Sequence, residues 1–259
     1  MFDLIPNTGA TRYEDIFRLR GSLYHQAMEL YPDARADEFH SVINQAHITP
    51  GVTVVDVPSG GGYISRYLDD VNLIGLEVTP VFAQLAAARQ QNVVLYGDDH
   101  YPLRDAAVDR VLSIAGLHHV RNKVPVFSEM CRIVKPSGRA VIADVAEDSA
   151  VRRFLDEFVD RYSETGHSGW YFNDHTRSEL RAAGFCLQED RLLNYRWSAP
   201  DIDQLADFCR LLFGLVRADV GTVAAGIRDY LDIRSVDGRV GMQWQLRSFS
   251  CTVVPGQAR

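Results

Sequence analysis

The densest chemistry in this chain begins at Asp56-Val57-Pro58-Ser59-Gly60-Gly61-Gly62, where an acid and a glycine run follow the apolar stretch Val52–Val57. Glycine accepts positive φ and brings no Cβ, so a ligand can lie against bare backbone N–H groups at a strand-to-helix turn. Glu77 stands 17 residues beyond Gly60 (77 − 60) and closes the next apolar run, Asn72–Glu77. An acid at that strand end can accept hydrogen bonds from both hydroxyls of a ribose. Asp98 and Asp99 follow the third apolar run, Asn92–Tyr96, where a carboxylate can accept from an exocyclic amine of adenine. Three successive strand ends thus offer what an adenosine ligand needs.

A second group consists of histidines and tyrosines. His118 and His119 follow the fourth apolar run, Val108–Ile114, on the same edge of the sheet. One of them can take a proton from an acceptor hydroxyl or carbon acid. The alternative is that they stack on a ligand or bond to backbone. His167 and Tyr171 lie in Gly166-His167-Ser168-Gly169-Trp170-Tyr171, a loop able to close over a ligand, and Tyr24 lies on an N-terminal helix that could cover the glycine loop. These make His118, His119 and His167 candidates for catalysis, and Tyr24, His167 and Tyr171 candidates for acceptor binding. Cys131, Cys186, Cys209 and Cys251 form no C-x-x-C pair. No metal-ligand spacing is apparent, so no metal is expected.

The elements that must hold these residues alternate strand and helix. Helices are predicted over Tyr13–Leu30, with Ile16, Leu19, Leu23, Ala27 and Leu30 inward, and over Ala36–Ala46. Tyr63, Ile64, Tyr67 and Leu68 give a buried stripe to a helix after the glycines, and Pro80 opens another. A helix near Pro125–Val134 leads through Pro136-Ser137-Gly138 into a fifth strand, Arg139–Val145. Short apolar strands in strict alternation argue for a doubly wound parallel sheet. Beyond it come an amphipathic helix over Val151–Tyr162 and a short helix opened by the capping box Thr176-Arg177-Ser178-Glu179. A sixth strand follows over Phe185–Trp197, then two helices and a long closing strand. The closing strand changes phase after Leu246, which predicts a bulge near Arg247-Ser248, and it should lie antiparallel beside the sixth. We expect one domain over 1–259: an N-terminal helical lid (1–48), a cofactor-binding core (49–147), and covering helices with closing strands (148–259).

These motifs resemble those of class I S-adenosylmethionine-dependent methyltransferases. The family's D-x-G-x-G-x-G falls on Asp56–Gly62, with Pro58 in place of the first glycine. Its second-strand acid falls on Glu77, its G-D segment on Gly97-Asp98, and its paired histidines on His118-His119. Its E-x-x-R-x-L-K-P-G-G segment falls on Glu129–Gly138. The resemblance spans about Val52–Val145. It implies a Rossmann-like, seven-stranded sheet with an antiparallel last strand and helical lid insertions. It also implies S-adenosylmethionine as cofactor, with S-adenosylhomocysteine as product. Asp56, Pro58, Ser59 and Gly60–Gly62 would meet the amino-acid end of the cofactor, Glu77 and Val78 the ribose side, Asp98 and Asp99 the adenine, and Ala115, Gly116 and Leu117 the methionine part.

Composition narrows the acceptor. The chain has 259 residues, 46% hydrophobic and 24% charged, with net charge −7. No basic stripe suggests nucleic acid. No run is long enough to span a bilayer, and Met1–Ala10 has no apolar signal core. A cytoplasmic, small-molecule methyltransferase acting on an O or C atom of a metabolite is the resulting expectation, with monomer and homodimer both open. Two alternatives remain. One is an enzyme or binding protein that holds the same cofactor without methylating. The other is a nicotinamide-dependent oxidoreductase, which lacks support because no third glycine follows at Tyr63 or just after.

Overall fold

The computed structural model describes residues 13–97 and 100–253. Its strands are β1 (Thr53–Asp56), β2 (Asn72–Glu77), β3 (Val93–Leu95), β4 (Val108–Ile114), β5 (Val134–Asp144), β6 (Phe185–Ala199), β7 (Ile233–Val236) and β8 (Arg239–Val253). They form one sheet in the order β3-β2-β1-β4-β5-β8-β6, with β7 paired to β8. The β1–β5 strands run parallel, and β8 lies antiparallel between β5 and β6. Alternate residues feed separate cores. Val54, Leu112 and Val141 face one layer of helices, while Val55, Val111 and Ile142 face the other. Burial on both faces is why these short strands read as continuous apolar runs. Strand order reverses at β1, which is flanked by β2 and β4. In open α/β sheets ligands bind at such a reversal, beyond the carboxyl ends of the strands.

The helices are α1 (Tyr13–Leu30), α2 (Ala36–Ala46), α3 (Pro80–Ala88) and α4 (Val124–Ile133). A composite α5 starts at Ala150–Arg153, passes through a π-helical segment, Phe154–Val159, and ends at Asp160–Tyr162. Then come α6 (Thr176–Ala182), α7 (Ile202–Leu212) and α8 (Val220–Tyr230). No helix among the described residues is long and apolar enough to cross a membrane.

Several local expectations are corrected. The sheet has eight strands because β7 forms a hairpin with β8 through Asp237-Gly238, both at positive φ. The Asp-Gly pair is the sequence signal for that turn. The bulge lies not in β8 but in β6, where Gln188 falls between Leu187↔Cys251 and Glu189↔Ser250. The β8 register against β5 is unbroken from Asp144↔Arg247 to Ala140↔Cys251. The apparent phase change arises because β8 becomes buried on both faces. Ser248 and Ser250 continue the face of Trp244 and Leu246, and they are bonded to Gln45 and Arg139. After the glycines only a 3-10 turn forms, over Tyr63–Tyr67, where a helix is expected. Helix α6 is preceded by His175 with no side-chain cap, so the predicted capping box does not form. On α1 the buried side carries Ile16, Phe17, Arg20, Gly21, Ala27 and Met28, whereas Leu19 and Leu30 are exposed.

Candidate active site

The turn after β1 is built for close approach. Gly60 has φ +53, and a Cβ there would meet only the Tyr63 ring, at 4.0 Å, so the space beside it stays open. Glu77, at the end of β2, ties this turn down. Its Oε2 accepts from the Gly60 N–H at 2.7 Å. Its Oε1 accepts from the Val78 N–H (3.0 Å), the Thr79 N–H (2.8 Å) and the Thr79 hydroxyl (2.9 Å). The Tyr13 hydroxyl also donates to Oε2, at 3.4 Å. Glu77 is therefore fully buried, and a sugar hydroxyl reaching for Oε2 must take the place of Tyr13.

Burial raises both acids here. Asp56 is pushed up to about 8 by burial and by the nearby negative charge of Glu77. Glu77 is raised to about 7 by burial, against the pull of its donors from Thr79, Gly60 and Val78. Because Glu77 accepts several N–H bonds and Asp56 does not share them, the proton held by this pair resides on Asp56.

Two cavities meet at this edge. The first is lined by Val78, Tyr96, Leu117, Val120 and Val126, a largely apolar slot with Glu14 and Asn122 at its polar positions. The second runs past Asp56, Ser59 and Gly60 into a chamber walled by Phe17, Phe39, Trp197, Phe213 and Trp244. Tyr13, Pro58, Gly116 and His119 line both, so Tyr13 stands as a partition between them. The residues thus present a buried acid and bare glycine backbone on one side of Tyr13 and a largely apolar slot on the other, groups that suit the amino-acid and base ends of S-adenosylmethionine. Removal of Glu77 is expected to weaken S-adenosylhomocysteine binding by about 1–3 kcal/mol, the scale of bonds to a charged group. Titration calorimetry on Glu77→Ala checks this, and unchanged affinity would take Glu77 out of the site.

Three histidines converge on the chamber. Asp144, the last residue of β5 and fully buried, accepts from His118 Nδ1 at 2.7 Å. It also accepts from the backbone N–H groups of Leu117 (2.6 Å), His118 (2.9 Å) and Val145 (2.7 Å). Burial alone would raise its carboxyl, but the His118 ring and these donors outweigh that and hold it below its ordinary range. In a neutral ring the Nδ1 proton directed at Asp144 leaves Nε2 of His118 as an acceptor. His167 is positioned from the second half of α5. Its N–H donates to Asp160 (2.8 Å), and its Nδ1 lies 3.4 Å from Asp156. Burial drives His167 down to about 4, Asp156 opposing in part, and drives His119 well below its ordinary value. Both rings are neutral near pH 7. The π-helical segment also places Leu155 on the chamber wall, in keeping with the concentration of such bulges at functional sites.

Most of the residues singled out in the sequence lie around this cleft. Asp56, Pro58, Ser59, Gly60, Ala115, Gly116, His118, His119, His167 and Tyr24 line the chamber, and Val78 and Leu117 line the apolar slot. Gly61 and Gly62 shape the turn without lining either cavity. Tyr171 is displaced from its expected place. It donates to Asp156 behind His167 and is not part of the chamber wall. Asp98 and Asp99 lie outside the described residues. The sequence reading passed over Asp144, Arg20, Tyr13 and the Trp197–Trp244 pair, whose rings stack 3.8 Å apart. Asp144 carried the same signal as Glu77, an acid ending an apolar strand. Arg20 carried another, a charge on the helix face shared by Ile16 and Phe17.

Comparison with known proteins agrees with this architecture. A family model described as a methyltransferase domain matches residues 55–142. An arsenite methyltransferase of Halobacterium salinarum is 28% identical over 157 residues, 54% of this chain and 39% of that protein. A demethylmenaquinone methyltransferase of Tropheryma whipplei is 31% identical over 123 residues, 44% of this chain and 49% of that protein. The chain thus spans less than half the length of these curated relatives. Among solved structures, the [4+2]-cyclase SpnF aligns over 95% of this chain and 98% of its own, with TM-score 0.62 at 17% identity. Residues 55–142 thus match a methyltransferase domain, and the sheet order and the glycine turn agree with that match.

Proposed function

We propose that this protein methylates an oxygen or carbon atom of a small organic acceptor held in the aromatic chamber. The observation that carries the reading is the continuity of the cleft. A glycine turn, fastened from beneath by the β2 acid, leads directly into an aromatic chamber in which His118 is oriented by Asp144. When bound, S-adenosylmethionine supplies a methyl group already activated on a sulfonium. The protein's own contribution is then placement, and effective molarities for well-aligned groups reach roughly 10⁵ M or more. Asp56 and the Gly60 backbone hold the amino-acid end, and Glu77 holds the ribose. Val78 and Leu117 enclose the base, with Ala115 and Gly116 beside the methionine portion. His118 takes the acceptor's proton on Nε2 while Asp144 steadies the ring. The helices of 13–48 and those of 148–253 cover the core, the closing strands of 148–253 complete its sheet, and the chain acts as one unit.

A second reading draws on the [4+2]-cyclase likeness: the same cleft could serve a reaction that spends no methyl group. Calorimetric titration with S-adenosylhomocysteine, with NAD in parallel, tests the cofactor. Saturable binding of the first alone is expected, and binding of NAD alone would overturn the assignment. Formation of S-adenosylhomocysteine from S-adenosylmethionine, over a panel of phenols, quinones and carboxylic acids, then separates methyl transfer from a non-methylating reaction.

A further inference from the structure

The chamber contains two buried arginines in very different circumstances. Arg35 is paired with Glu38, which also accepts from the Trp197 indole N–H at 2.6 Å. Its charge is matched. Arg20 is equally buried, but among the described residues no carboxylate meets it. Its Nη1 donates to the Phe213 carbonyl at 3.0 Å, its guanidinium lies 4.8 Å from the centre of the Phe17 ring, and its buried Nε has no partner. The Nε–Nη2 edge therefore carries no bond. A buried cation without a partner is costly, and a carboxylate on that edge would satisfy it with two parallel bonds.

The neighbouring imidazoles admit a competing reading. One nitrogen each from His118, His119 and His167 lies within 4.8 Å of the others, a donor set that a zinc ion could use. Arg20 decides between the two. Its positive charge bears on both His119 and His167, which disfavours a divalent cation and favours an anion. The acids nearby are engaged elsewhere, Asp144 by His118 and Asp156 by His167 and Tyr171.

We infer that Arg20 anchors a carboxylate on the methyl acceptor, so that the preferred acceptor is a planar or aromatic acid whose body lies between Phe17 and the Trp197–Trp244 pair. Given that anchor, the reacting atom lies toward His118 and the charged end toward α1. The inference rests on the methyltransferase reading of the cleft.

The test uses the full chain saturated with S-adenosylhomocysteine. Benzoate, phenylacetate, cinnamate and their carboxamides are titrated, with Trp197 and Trp244 fluorescence and calorimetry as readouts. At least one acid is expected to bind tenfold or more tighter than its amide. Arg20→Met should abolish that preference while S-adenosylhomocysteine still binds, and Arg20→Lys should keep it in weakened form. Equal binding of acid and amide in every pair overturns the inference, as does an acid preference that persists in Arg20→Met. The wild-type comparison decides even if Arg20→Met fails to fold. Stoichiometric zinc retained through dialysis and lost in His167→Ala would make the cluster a metal centre and overturn it too. Absence of S-adenosylhomocysteine binding in the wild-type protein would instead remove the methyltransferase reading itself.

Discussion

Replacement of His118 by alanine should lower kcat for methyl transfer by about 10²–10⁴-fold, the usual span for loss of a positioned general base. The affinity for S-adenosylhomocysteine should stay as it was. The acceptor for this measurement is whichever panel compound the wild-type protein methylates. Asp144→Asn should lower kcat in the same direction, because an amide does not enforce the proton on Nδ1 as a carboxylate does. Asp144 acts through His118, 2.7 Å away, and through the backbone it fastens at Leu117 and Val145, so it is a positioning residue. The pair of readouts separates two roles for His118. A fall in cofactor affinity with kcat intact would mean that His118 stacks on the cofactor and takes no proton.

The affinity of the protein for S-adenosylhomocysteine should rise with pH, by up to about tenfold per unit between roughly pH 6 and pH 8, and then level off. The cause is Asp56, which burial and Glu77 push up to about 8. Below that value the free protein holds a proton on Asp56. The ammonium group of the ligand binds the ionised form, so the proton must leave on binding. A group whose pKa falls when ligand binds favours binding at higher pH. Calorimetry in two buffers of different ionisation enthalpy should show a proton released near pH 7, and Asp56→Asn should flatten the profile while weakening binding. A flat wild-type profile would show that Asp56 does not meet the ammonium. In the ligand-free protein the same raised carboxyl has the opposite sign for stability: the fold loses stability as pH rises from the ordinary carboxylate range through about 8.

The two groups of residues were not equally legible in the sequence. The sheet could be read because the strands of a doubly wound fold are apolar runs, here closed by an acid at Asp56, Glu77 and Asp144. The strand-end residues and the paired histidines could be placed for the same reason, since the fold sends all of them to one edge. What escaped was set by contacts remote in sequence. The inward face of α1 departs from its apolar periodicity: Leu19 and Leu30 are exposed while Arg20 and Gly21 are buried. Arg20 can sit inward because the Phe213 carbonyl and the Phe17 ring receive it, and neither is visible from the local periodicity. The β8 alternation seemed to slip because Ser248 and Ser250 continue a buried face, with Gln45 and Arg139 as partners from other elements. Tyr171 was expected to face the ligand, yet a carboxylate two turns into α5 captures its hydroxyl.

Helix α1 carries Tyr13, whose hydroxyl lies on the Glu77 carboxylate, and one face further along it carries Phe17, Arg20 and Tyr24 on the chamber wall. A helix transmits displacement along its length, so the two ligand positions share one mechanical element. Their occupancies are then thermodynamically linked, and linkage is reciprocal. Whatever factor a sugar hydroxyl at Glu77 applies to acceptor affinity by moving Tyr13, the acceptor must apply to cofactor affinity in return. With Tyr13 on Glu77 the two ligand positions meet at a single side chain, so a change at either one bears on the other through α1.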